Sequence, residues 1–131
     1  MLKIALPNKG RLADETRELF EDAGLPVRAR GRIVMVDVGA IDWIQAADNY
    51  VTVHAQGREY LLRETLAALE RQLDPSRFAR IHRSTIAAVD RIAELQPSSH
   101  GDFDVRLYDG TRLTLSRSWR EHVERALGRR F

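Results

Sequence analysis

The sequence predicts a mainly β fold preceded by a short β-α extension. Three observations carry that prediction. Ile33–Val38, Ile41–Ala46 and Tyr50–Ala55 are short runs enriched in β-branched residues and bounded by turn formers. Gln56-Gly57 and Asp109-Gly110 each stand between runs of strand character, the pattern of two strands folded back on a tight turn. The clearest helical spacing is confined to one stretch, Leu62, Leu66, Leu69 and Leu73. These features divide the 131 residues into an extension over 1–26 and a β domain over 27–131.

In chain order, Leu2–Leu6 reads as a short strand stopped by Pro7-Asn8-Lys9-Gly10. Ala13–Ala23 follows as a helix, with Leu12, Thr16, Leu19, Phe20 and Ala23 at helical spacing and Gly24 and Pro26 ending it. Arg28–Arg32 is expected to be a basic connector into the strands Ile33–Val38 and Ile41–Ala46. Asp48-Asn49 is a turn pair leading into the strand Tyr50–Ala55, and Gln56-Gly57 turns that strand into Arg58–Leu62. The helix through Leu62–Leu73 ends at Asp74-Pro75. Thr85–Ile92 is ambiguous between a short helix and a strand, and Pro97–Gly101 is a loop. Phe103, Val105 and Leu107, then Leu113 and Leu115, alternate with polar residues around Asp109-Gly110. Trp119, Val123 and Leu127 make one stripe of a closing helix, and Arg129-Arg130-Phe131 is expected to fray.

Composition excludes several classes of function. Hydrophobic residues make up 44% and charged residues 31%, a globular balance sufficient for a core. There is no cysteine, so disulfides, Cys-based zinc sites and thiol nucleophiles are out; a cytoplasmic location is expected. No apolar run approaches the ~18–20 residues of a membrane span, and Met1-Leu2-Lys3 does not open a signal peptide.

The net charge of +2 is unevenly spread. Residues 1–33 carry seven Lys/Arg against five Asp/Glu, residues 34–76 three against seven, and residues 77–131 eleven against seven. The basic excess therefore gathers in the last 55 residues. Its densest point is Arg77-Phe78-Ala79-Arg80-Ile81-His82-Arg83-Ser84, three arginines and a histidine interleaved with two apolar anchors. Such a segment can be pinned to a core while it displays cations. A guanidinium fork meets phosphate oxygens or a guanine edge with paired donors, so a nucleic-acid partner is expected.

Two family resemblances rest on particular stretches. Leu2-Lys3-Ile4-Ala5-Leu6-Pro7-Asn8-Lys9-Gly10-Arg11-Leu12 is similar to the opening strand and loop of ATP phosphoribosyltransferase, over about the first 24 residues. That likeness offers a phosphoribosyltransferase fragment as one alternative function, although a single β-α unit cannot enclose an active site. The acidic middle third offers another, a protein-interaction module.

The run from about Ile33 to Leu127 resembles the LytTR domain, a DNA-binding module of bacterial response regulators. The likeness is carried by Ile41-Asp42-Trp43-Ile44-Gln45-Ala46-Ala47-Asp48-Asn49-Tyr50-Val51, Thr65–Glu70, Phe78–Ser84 and Leu113-Thr114-Leu115-Ser116-Arg117. It implies an elongated stack of small antiparallel β-sheets with short helical connectors, a β-sandwich arrangement that meets DNA through loops. It further implies sequence-specific binding of double-stranded DNA as a transcriptional regulator, on paired repeats that hold two copies. Residue by residue, Asp48, Asn49 and Tyr50 belong to a loop entering a major groove, and Arg83 and Arg117 read bases. Arg80, His82, Ser84, Ser116 and Arg120 become phosphate or supporting contacts. Gln45 stands where the family often has Glu. Ala88 stands where an Asn is usual, which puts a hydrogen bond near the site in doubt.

Each candidate also has a plainer explanation. Asp48-Asn49 is equally a standard turn pair. Arg83 and Arg117 at strand ends could be solvated charges. His82 has no partner at metal spacing and is expected to lie in the core or meet phosphate. Trp43 and Trp119 are expected as core anchors. Asp42, Asp48 and Asp90 pair with no nucleophile, and no glycine-rich phosphate loop stands in a strand-loop-helix context. No catalysis, metal, cofactor, small-molecule substrate or membrane partner is therefore expected. A helix-turn-helix through Leu62–Leu73 and Ile81–Ile92 has the right length but a poor apolar stripe in its second half.

Overall fold

The computed structural model of the protein describes residues 24–29 and 31–131. The expected strand Leu2–Leu6 and helix Ala13–Ala23, and with them the likeness to ATP phosphoribosyltransferase, lie outside the described residues.

Among the described residues, ten strands and two α-helices follow in order: β1 (Leu25–Ala29), β2 (Arg32–Val36), β3 (Ile41–Ala47), β4 (Tyr50–Ala55), β5 (Arg58–Leu62), α1 (Leu66–Gln72), β6 (Phe78–His82), β7 (Thr85–Ala88), β8 (Ile92–Pro97), β9 (Phe103–Leu107), β10 (Arg112–Leu115) and α2 (Arg120–Leu127). Single 3₁₀ turns cover Val38–Ala40, Val89–Arg91 and Arg117–Trp119. The strands form a seven-stranded sheet ordered β2-β1-β5-β4-β3-β7-β6 and a three-stranded sheet ordered β10-β9-β8. Every pairing is antiparallel. Among the described residues, β1 meets β5 at the pair Arg28↔Leu61.

Period-2 alternation explains how the sheets stack. Ile44, Ile86 and Phe78 point to one face of the large sheet, where α1 covers them with Leu66, Leu69 and Leu73. Ala79, Ile81 and Ala87 point to the other face and meet Val105, Leu107 and Leu115 of the small sheet and Val123 of α2. β6, β7 and β3 are thus the middle layer of a stack. Thr85–Ala88 is buried on both faces and carries no polar alternation, which is why it gave no clear signal as a strand. Ala88 is 3% exposed and packs beneath α1, so the apolar side chain suits that position.

Several expectations change in the structure. The stretch read as a basic connector contains the end of β1 and the start of β2, and the sheet begins at Leu25. Pro26 is tolerated in β1 because the strand there pairs only with β2. The leucine stripe overstated the helix: Leu62 ends β5, and Thr65 caps α1 by accepting the Ala68 N–H at 3.0 Å. The second helix of a helix-turn-helix does not exist, since that segment is the β6-β7 hairpin. Nor does the C-terminus fray. Gly128, at φ 73°, closes α2, the Phe131 N–H donates to Glu124 Oε2 at 3.1 Å, and the Phe131 ring meets Phe103 edge-on at 5.2 Å.

The two expected tight turns form. Gln56 and Gly57 take φ 54° and 78°, the left-handed pair that a two-residue hairpin needs. Asp109-Gly110 lies in a slightly longer loop, where Asp109 Oδ1 accepts the Thr111 N–H at 2.9 Å. That hydrogen bond is the main reason the Asp109 carboxyl titrates below its ordinary value.

Candidate nucleic-acid interface

β3 and β7 run antiparallel with Gln45 opposite Thr85, and the Ala46 N–H donates to the Ser84 carbonyl at 2.9 Å. This register puts the Asp48-Asn49 turn, which ends β3, and the Arg83-Ser84 turn, which opens β7, at the same end of the sheet. Asp48, Asn49 and Tyr50 are all exposed there, with Asp48 in the left-handed region at φ 44°. Arg83 is exposed at the tip of its turn, and its guanidinium has no partner among the described residues.

Internal bonds hold the Arg83 turn from behind. Arg80 Nε donates to the His82 carbonyl at 3.0 Å, and Arg80 Nη2 donates to the Arg83 carbonyl. Its Nη1 meets Glu70 Oε1 of α1 at 2.8 Å, and the guanidinium lies 4.8 Å from the centre of the Trp119 ring. The Arg80 side chain is only 12% exposed. Its donors point inward at these partners, so Arg80 braces the turn. On the far side of the turn the Ser84 N–H donates to His82 Nδ1 at 3.2 Å, with Ser84 Oγ 2.9 Å from the same nitrogen. A neutral His82 ring that accepts at Nδ1 carries its proton on Nε2.

The second arginine arrives from the small sheet. The Ser116 N–H donates to the Ile81 carbonyl at 2.9 Å and joins the end of β10 to β6. Ser116 Oγ caps the following 3₁₀ turn by accepting from the Ser118 N–H. The Arg117 N–H donates to Asp102 Oδ1 at 3.0 Å, and the Arg117 stem lies against Gly101, where a Cβ would stand 3.2 Å from its Cδ. Gly101 also holds φ +86°, so both space and backbone call for glycine. The exposed Arg117 guanidinium has no partner among the described residues.

The structure therefore gathers His82, Arg83, Ser84, Ser116 and Arg117, with Arg80 behind them, and sets Asp48, Asn49 and Tyr50 at the same end of the sheet as the Arg83 turn. Arg120 is turned to other partners. It pairs with Glu124 at 3.0 Å and lies over the Phe103 and Phe131 rings, fixing the C-terminus. The Phe131 N–H is the first cause of the lowered Glu124 carboxyl pKa. The acidic middle third is partly neutralised within the fold, where Asp42 pairs with Arg91 and Glu70 with Arg80. Among the described residues no His, Asp and Glu cluster is arranged to hold a metal ion. No helix of these residues is long and apolar enough to cross a membrane. Sequence reasoning missed the supporting residues Glu70, Gly101 and Asp102, and also the exposed cation Arg112. Arg112 carried a faint signal, since it alternates with Leu113 and Leu115 beside the Arg117 motif.

Among the described residues, small stacked antiparallel sheets present unpaired arginines on turns, an arrangement suited to a polyanionic partner. A family model for the LytTr DNA-binding domain matches residues 31–128, and the chain belongs to this LytTR family of DNA-binding domains. Its relatives are bacterial. It is 31% identical over 125 residues to the sensory transduction protein LytT of Bacillus anthracis, covering 95% of this chain and 50% of that protein. It is 37% identical over 123 residues to the positive alginate biosynthesis regulatory protein of Pseudomonas aeruginosa, covering 88% and 49%. The solved LytTr DNA-binding domain of a Bacillus cereus protein shares the fold with a TM-score of 0.72 at 24% identity, over 79% of this chain and 95% of that one. The chain spans about half the length of the regulatory proteins it matches.

Proposed function

We propose that this chain is the DNA-reading part of a transcriptional regulator, and that it recognises a duplex site through Asn49, Arg83 and Arg117. One observation supports these residues above all: Arg83 and Arg117 are exposed and unpaired among the described residues, while Arg80 donates to the Arg83 carbonyl, the Ser84 N–H to His82 and the Arg117 N–H to Asp102, which holds the two turns in place. A guanidinium held at its base and free at its tip suits bidentate contact with a guanine edge, worth ~1–3 kcal/mol of discrimination per base. Asn49 has the donor-acceptor pair that matches adenine. His82, Ser84 and Ser116 contact phosphates beside them, with Asp48 and Tyr50 flanking the first turn. Arg80 and Arg120 act as braces. Two copies occupy paired repeats, each holding its own half-site, in the cytoplasm where the chromosome lies.

Selection from a random duplex pool tests this function, followed by titration of the enriched site across a salt series for wild type and Arg117→Ala. The expected result is a pair of short motifs, a steep loss of affinity with salt, and a variant whose preference relaxes at one base position. A pool with no enriched motif and a flat salt response would refute it.

A further inference from the structure

Between the Arg83 turn and β10 lies a concavity of about 260 Å³, lined on one side by Trp43, Gln45, His82, Ser84 and Thr85 and on the other by Arg112, Leu113 and Thr114. Its polar lining is rich in donors. His82 Nδ1 accepts the Ser84 N–H, which leaves Nε2 as the nitrogen that can donate from a neutral ring. Ser84 and Thr114 supply hydroxyls, Gln45 an amide and Arg112 a guanidinium. Among the described residues, no carboxylate lines the concavity.

Arg80, Arg91, Arg106 and Arg120 meet the acids Glu70, Asp42, Glu94 and Glu124 respectively. Arg112, like Arg83 and Arg117, meets none among the described residues. It also stands directly opposite Arg106 across the β9-β10 ladder. Like charges so placed destabilise a sheet. Arg106 is answered by Glu94 at 2.8 Å on β8, and among the described residues Arg112 is left unanswered on the outermost strand of the small sheet. Arg112 and Thr114 are exposed along β10, Leu113 is half-buried at the rim of the concavity, and Leu115 is buried in the core. A cation that weakens its own sheet, beside a donor-lined hollow without acids, is placed for an external anion.

We infer that this concavity receives a backbone phosphodiester of the bound duplex, with Arg112 as its cation and Ser84 and Thr114 as hydroxyl donors. The inference rests on the DNA-binding function proposed above and adds a contact that positions the duplex without reading a base. The phosphate seated there lies between the segments contacted by Arg83 and Arg117, so it sets the register in which both arginines meet their bases.

The test is a set of equilibrium titrations by fluorescence anisotropy, on the enriched duplex and a scrambled one, from roughly 50 to 200 mM salt. Wild type, Arg112→Gln, Arg112→Lys and Arg117→Ala are compared after thermal unfolding shows that they are folded. Arg112→Gln is expected to weaken both duplexes by the same factor and to reduce the slope of log affinity against log salt by about 0.9, one phosphate contact. Arg112→Lys is expected to restore the slope, and Arg117→Ala to change the ratio between the duplexes. An Arg112→Gln protein with wild-type affinity and slope would overturn the phosphate site while DNA binding stands. So would a changed duplex ratio, which would make Arg112 a base contact. Amide chemical shifts at Ser84 and Thr114 are also followed with inorganic phosphate added to the free protein. Saturable binding at about 1 mM that depends on Arg112, with duplex affinity unaffected, would assign the hollow to a free anion and overturn the inference. Wild-type protein that binds neither duplex would sink both this site and the function it rests on.

Discussion

Replacing Arg80 with alanine should distinguish a brace from a phosphate contact. The substitution removes the ion pair to Glu70 at 2.8 Å, the bonds to the His82 and Arg83 carbonyls, and the cation-π contact with Trp119. Bonds from a charged donor contribute ~1.5–3 kcal/mol each when poorly solvated, and a half-desolvated cation-π contact ~1 kcal/mol. These contributions overlap, and Glu70 is 34% exposed, so its loss of a partner is partly relieved by water. A net destabilisation of about 3 kcal/mol follows, or a fall in Tm of roughly 10–20 °C for a domain of this size. Urea unfolding followed by tryptophan fluorescence measures it, and a double-mutant cycle with Glu70→Ala isolates the pair. Arg80→Lys keeps the charge but loses the planar fork, so it should recover little of the stability. Arg80→Ala unfolding within about 0.5 kcal/mol of wild type, with uniformly weaker DNA binding that Arg80→Lys restores, would refute the brace and return Arg80 to the phosphate contacts.

Other outcomes follow from the same contacts. Gly101→Ala should lose about 1 kcal/mol from its left-handed backbone and push Arg117 aside, lowering discrimination between duplexes; wild-type values in both unfolding and binding would show that Arg117 is not positioned by Gly101. Arg117→Ala itself should leave stability within about 0.5 kcal/mol, read by thermal unfolding, while it relaxes preference at one position. His54 stacks on Trp43 at 3.9 Å, and burial holds its pKa below the ordinary 6.5, against the opposing pull of Glu59, Asp42 and Asp109. The unfolded chain therefore binds that proton more readily. The His54 contribution is complete above pH 6.5 and declines as the pH falls through the lowered folded value. His54→Gln should flatten that part of a stability-pH curve, and an unchanged slope would assign the decline to other groups.

The features legible in the sequence were local ones. Turn chemistry at Gln56-Gly57 and Asp109-Gly110 and period-2 alternation in Phe103–Leu107 need only a few neighbouring residues, and the fold realises each. The four LytTR-like segments are contiguous as well, so the family and its mainly β fold could be read from the chain. Where local signals were silent or misleading, the deciding partner lay far away. Leu62 completes a helical stripe by coincidence, because pairing with Val51 claims it for β5. Thr85–Ala88 loses its alternation because both of its faces are covered. Phe131 is fixed by Phe103 and Glu124 rather than by its neighbours.

The sequence by itself determined that the chain carries a basic, strand-borne motif of a DNA-binding family. It could not tell which cations are available. Arg80 and Arg83 stand three residues apart in one basic stretch, yet an acid on α1 and a tryptophan beyond β10 absorb the first and leave the second bare. Arg91 is neutralised by Asp42 from 49 residues away, while Arg112 faces another arginine and finds no acid. Charge compensation is a contact between surfaces brought together by folding, acting over a few ångströms in space and blind to distance along the chain. Only the tertiary structure could decide it.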